Sequence, residues 1–197
     1  MRLRLALLAL LIVCVPVASA AEPIDDYRYD RAKKCRKHPT PGALALVNWL
    51  EKNAEGTFWG IMRCEKWGKN SASLHAEGRA VDWHLDAASP ADRREARRLI
   101  GLWLATDRDG NEHALARRMG IQEIIWNCRS WWSGAERMDK YSVCYTKRGK
   151  RRKRVNRTEA HMDHIHIGLN WPGARKRTSF WLTPARGSVV RPYARGI

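Results

Sequence analysis

His161-Met162-Asp163-His164-Ile165-His166 places four side chains able to bind a metal ion or carry a proton within one short stretch. In a strand, successive side chains alternate between faces, so His164 and His166 share one face and Ile165 and Ile167 the other. Two imidazoles then look into a cleft and two isoleucines into a core. A His-x-His pair alone is equally well a polar strand face, and its weight comes from a second group upstream, Ser73-Leu74-His75-Ala76-Glu77-Gly78-Arg79-Ala80-Val81-Asp82. A zinc ion that serves catalysis takes three nitrogen or oxygen donors at about 2.0–2.2 Å and keeps a fourth position open. His75, Asp82 and His166 can converge as such a set, with Gly78 letting the chain turn tightly between the first two.

Positioning these residues requires strands backed by helices. Arg79 to Leu85 alternates, with Val81, Trp83 and Leu85 on one face and Ala80, Asp82 and His84 on the other. Thr57 to Met62 and Ile121 to Trp126 read as further strands, the latter buried. Thr40-Pro41-Gly42 is a helix start whose apolar positions Leu44, Val47 and Leu50 run to about Asn53. Ser89-Pro90-Ala91-Asp92 opens a second helix, with Ala96, Leu99, Ile100, Trp103 and Leu104 as its apolar stripe. A short helix over His113 to Met119 is closed by Gly120. Glu65 to Gly78 is polar and reads as a loop. Trp59, Trp83, Trp103 and Trp126 are expected in the core, and Trp67, Trp131, Trp132 and Trp171 near a substrate cleft. The fold class is α+β, helices packed on a small antiparallel sheet.

The chain opens with Met1-Arg2-Leu3-Arg4, an apolar run from Leu5 to Val17, and Ala18-Ser19-Ala20. A basic start, an apolar stretch too short to cross about 30 Å of hydrocarbon and an A-x-A site mark a secretory signal peptide. The expected division is a signal peptide over 1–20, an irregular lead-in over 21–40, one domain over 41–185 and a tail over 186–197. The protein is expected to be secreted or associated with the cell wall, monomeric, with no transmembrane segment after cleavage. Cys35, Cys64, Cys128 and Cys144 then remain without a C-x-x-C pair, and in an exported chain they read as two disulfides rather than a zinc cluster. Of the three pairings, Cys35 with Cys64 and Cys128 with Cys144 is the expected one.

A formal net charge of +17 and ten tryptophans describe a folded, strongly basic protein that associates with polyanions. Lys147 to Arg154 is basic at seven of eight positions; charges so dense repel and stay in solvent, so the segment reads as a mobile loop that offers attachment to anionic cell-wall polymers. It has no accompanying nucleic-acid-binding signature, and nucleic acid is not an expected partner.

The pattern His-x-x-Gly-x-x-x-Asp, with Ser73 two residues before His75 and a late strand carrying His-x-His, resembles the zinc metallopeptidases grouped with lysostaphin, the D-Ala-D-Ala carboxypeptidases and the hedgehog signalling domain. Ser73 to Asp82 is similar to the carboxypeptidase branch, and Asp163 to His166 to the murein endopeptidase branch. The resemblance implies zinc held by His75, Asp82 and His166, with Ser73 and Arg79 binding substrate. For the general base it offers two positions. Asp163 stands where the carboxypeptidase branch has a glutamate, and His164 where the endopeptidase branch has a histidine. Strand geometry favours His164, which shares a face with His166. The implied activity is hydrolysis of amide bonds in peptidoglycan stem or cross-link peptides. Relatives of the hedgehog type set the alternative, a non-catalytic, zinc-containing extracellular module that binds anionic wall polymers.

Overall fold

A computed structural model describes residues 23–183; the expected signal peptide and the tail from 186 lie outside them. The elements run α1 (Pro41–Asn53), β1 (Thr57–Gly60), β2 (Lys66–Gly68), β3 (Ser71–Ala72), a 3₁₀ turn over Leu74–Glu77, β4 (Ala80–His84), α2 (Pro90–Leu104), α3 (Ala114–Met119), β5 (Ile121–Trp126), β6 (Arg129–Trp132), β7 (Asp139–Lys140), a 3₁₀ turn over Ser142–Cys144, β8 (His164–Leu169), α4 (Trp171–Ala174) and α5 (Ser179–Leu182). Six strands form one antiparallel sheet in the order β1-β4-β8-β5-β6-β7, and β2 and β3 form a separate hairpin. The fold is α+β, as the sequence implies. No described helix is long and apolar enough to cross a membrane.

Helix starts follow the local chemistry. The Thr40 hydroxyl accepts from the Ala43 amide and the Ser89 hydroxyl from the Asp92 amide, each followed by proline at the first helical position. Gly120 ends α3 in the left-handed conformation. These helices cover one face of the sheet, where Val81, Trp83, Ile124, Ile165 and Ile167 pack with Leu46 and Leu50 of α1, Leu99 and Trp103 of α2, and Met119 of α3. Burying one such aliphatic side chain contributes about 1.5–3 kcal/mol, so the apolar face is what holds the sheet to its helices. A bulge in β5 between Ile121 and Glu123 sends Ile121 into this core while Glu123 stays opposite Gly168 on the other face.

Both disulfides form as expected, Cys35–Cys64 and Cys128–Cys144. Several expectations need correction. The stretch from Glu65 to Gly78 is not a plain loop but carries the β2–β3 hairpin and a 3₁₀ turn. The basic segment is exposed, yet it turns as a hairpin, with Tyr145 bridging to Arg151 and the Thr146 amide donating to the Lys150 carbonyl at 2.8 Å. Trp59 is exposed, because the outer side of β1 is a sheet edge, whereas Trp131 is fully buried.

Arg79, expected at the substrate, is also fully buried. Its Nε donates to Glu77 Oε2 at 2.7 Å, Nη1 to the Leu169 carbonyl and Nη2 to the Asp30 carbonyl. Its guanidinium also stacks 4.8 Å from the Trp171 ring, which Arg36 and Arg175 approach as well. Fully buried and with all three guanidinium nitrogens bonded inside the protein, Arg79 clamps the lead-in, the 3₁₀ turn and the end of β8 together. Arg79→Ala would leave the buried Glu77 carboxylate without its counter-charge, so urea unfolding should show a loss of about 3–5 kcal/mol. Removing Glu77 as well should recover part of it; a loss under about 1 kcal/mol would contradict the clamp.

Candidate metal centre

The polar face of the sheet is assembled by register. Asp82 stands opposite His166, and His84 opposite His164. His75 arrives from the 3₁₀ turn, which Ser73 caps by accepting from the His75 amide at 3.2 Å. Gly78 closes the turn at φ 67°, and a Cβ there would lie 2.6 Å from the His38 carbonyl oxygen, so only glycine fits. Ser73 lines the cleft in front of the site.

His75 Nε2, Asp82 Oδ1 and His166 Nδ1 form a buried triangle with edges of 3.0, 3.0 and 3.1 Å. His75, Asp82 and His166 could hold a metal ion, and the triangle suits one: donors about 2.0–2.2 Å from a common ion lie about 3–3.5 Å apart. Their outer partners orient them as metal-binding imidazoles are usually oriented. His75 Nδ1 donates to the Ile61 carbonyl at 2.7 Å, which turns the Nε2 lone pair inward. His166 Nε2 faces Glu123 Oε1 at 3.2 Å, near enough for charge pairing though off the line of a hydrogen bond.

The electrostatics ask for a cation at the centre. Burial alone would raise the Asp82 pKa, but hydrogen bonds from His166 and His75 outweigh it and hold the carboxyl well below the usual range. Burial likewise disfavours a charged His166, yet the carboxylates of Asp82 and Glu123 outweigh it and push the imidazole up to about 9.

A protein-family model described as VldE, C-terminal domain, matches residues 35–161, more than half of the chain. The chain belongs to that family. No curated protein matches it, and no solved structure does. Within this VldE C-terminal domain the matched region carries His75 and Asp82, while the strand with His164 and His166 follows it.

His164 and Asp163 act together in the structure rather than as rivals. Asp163 Oδ1 lies 2.7 Å from His164 Nδ1, and its Oδ2 accepts from the Thr158 hydroxyl at 2.7 Å. His164 Nε2 is thereby aimed at the triangle, 3.5 Å from Asp82 Oδ1. Burial, against the pull of Asp82 and Asp163, lowers the His164 pKa. His161 lies in the same cleft with its ring 4.7 Å from that of His164, pushed down to about 2 by burial and by His166 and His164. His84 instead packs against Trp59 at 5.1 Å and lines neither cavity at the site.

Two residues at the site were not singled out from the sequence. Glu123 is a lone acid in the buried strand Ile121–Trp126, and a charge among so many apolar neighbours is itself a signal. Arg63 reaches Asp82 Oδ2 with Nη1 at 3.3 Å; beside Cys64 it gave no sign, because its place comes from the Cys35–Cys64 link.

Zinc titrated against a chromophoric chelator should bind with one-to-one stoichiometry and raise Tm. His75→Ala and His166→Ala should each weaken binding by at least about 100-fold, beyond what loss of an outer partner costs. Unchanged affinity in either variant would rule out this ligand set.

Proposed function

We propose that this domain is a secreted zinc metallopeptidase that hydrolyses amide bonds in peptidoglycan stem or cross-link peptides. The observation that carries the reading is the Asp163–His164 pair aimed at three converging ligand atoms. Two imidazoles and a carboxylate suit zinc among the common ions. The peptidoglycan substrate is drawn from the resemblance of Ser73 to Asp82 and Asp163 to His166 to wall peptidases, and the two disulfides support an oxidising compartment.

Zinc held by His75, Asp82 and His166 would supply Lewis acidity at the scissile carbonyl. The protein's own groups handle the proton. Because Asp163 holds the proton of His164 on Nδ1, Nε2 carries the free lone pair on the cleft side and can take a proton from the attacking water. Asp163 then stabilises the imidazolium, which returns the proton to the leaving nitrogen. Ser73, at the cleft wall, is in reach of substrate.

The basic hairpin adds an attachment surface. Lys147, Arg148, Lys150, Arg151, Arg152, Lys153 and Arg154 are all exposed, and no described carboxylate pairs with any of them. Retention on anionic wall polymers should fall steeply between low and high salt.

Peptidoglycan digested with zinc-loaded protein should yield new peptide products by mass spectrometry. His164→Ala should lower kcat/KM by about 10²–10⁴-fold with bound zinc retained, and Asp163→Asn by less. Stoichiometric zinc with no product from any wall peptide would instead make the domain a binding module.

A further inference from the structure

We infer that the domain cleaves bonds inside a peptide chain rather than releasing its carboxyl-terminal residue, an inference that rests on the peptidase reading above. The metal-ligand triangle does not sit at the bottom of a blind pocket. On one side lies a cleft of about 1110 Å³, and on the other a smaller cavity of about 250 Å³ that reaches Asp82. Arg63, His75 and Thr158 line both, so the two are arms of one groove that passes the triangle, and both are open to solvent.

Release of a terminal residue requires recognition of a free carboxylate, by an uncommitted cation or a set of N–H donors at the end of the arm. Among the described residues, the small arm has no cation free of a carboxylate partner. Its walls are Trp59, Gly60, Ile61 and Met62, and its one cation is Arg63. Arg63 is paired with two carboxylates, its Nε donating to Glu65 Oε1 at 2.7 Å and its Nη1 to Asp82 Oδ2 at 3.3 Å. In the large arm the guanidiniums of Arg31 and Arg63 are outnumbered by the carboxylates of Glu65, Glu123 and Glu159. That arm is also far larger than one residue needs. The small arm runs along β1, whose outer edge pairs with no described strand and whose Trp59 is half exposed, so a bound chain can continue into solvent. A groove open at both ends, with no unpaired cation described in its smaller arm, fits an internal bond.

Gly60 provides a way to block one arm. A Cβ added there meets nothing within 4 Å, so a larger side chain can enter the small arm without displacing the fold. The test uses zinc-loaded full-length protein, peptides from purified peptidoglycan, and synthetic peptides spanning whichever bond is cut, as free acid, as amide and extended by two residues. Both product fragments should be longer than one residue. Amidation or extension should change kcat/KM by less than about threefold, and Gly60→Leu should raise KM at least about fivefold while zinc affinity stays unchanged. Release of single terminal residues, with amidation costing about 100-fold or more, would overturn the inference, as would unaltered kinetics in Gly60→Leu. No product from any peptide by the zinc-bound protein would reject the peptidase reading itself, and this inference with it.

Discussion

The antiparallel pairing of β4 with β8 is the constraint on which the rest of the site depends. Asp82 opposite His166 and His84 opposite His164 put ligand and base candidates from distant parts of the chain on one face. The same register sets Val81 opposite Ile167 and Trp83 opposite Ile165 on the other face, inside the core. A slip of one residue would bury the polar set and expose the apolar one. The energy that holds the helices to the sheet therefore also fixes the position of the donors. Burial and the site are two sides of one strand pair.

Around that pair, the chain spends its special residues on bringing His75 into place. Ser73 starts the turn, Gly78 ends it, and the Arg79–Glu77 pair fastens it to the lead-in and to β8. The Cys35–Cys64 disulfide tethers the segment that carries Arg63 to the same lead-in. Glu123, on the far side of His166, is delivered by the bulge in β5. Each device acts locally, and together they bring two imidazoles and a carboxylate close enough to hold one metal ion.

Much of this was legible in the sequence because alternation and capping are local. The faces of Arg79 to Leu85 and of His164 to Ile167, the proline-led helix starts and the glycine stops could be read from nearest neighbours alone. What could not be read depended on which elements become neighbours. Trp59 is exposed because β1 is an edge, and Trp131 is buried because β6 is not. Arg79 was expected at the substrate from the resemblance, yet its partners Asp30, Leu169 and Trp171 come from distant parts of the chain. The choice between His164 and Asp163 dissolved in three dimensions, since a hydrogen bond between adjacent residues makes one the orienter of the other.

The central claim is that His75, Asp82 and His166 form one metal site, and X-ray absorption spectroscopy of the zinc-loaded protein tests it most directly. The structure predicts a shell of nitrogen and oxygen donors at about 2.0–2.2 Å, with scattering from two imidazole rings that falls to one in His166→Ala. A six-coordinate shell of oxygen alone, or sulfur donors at about 2.3 Å, would contradict it.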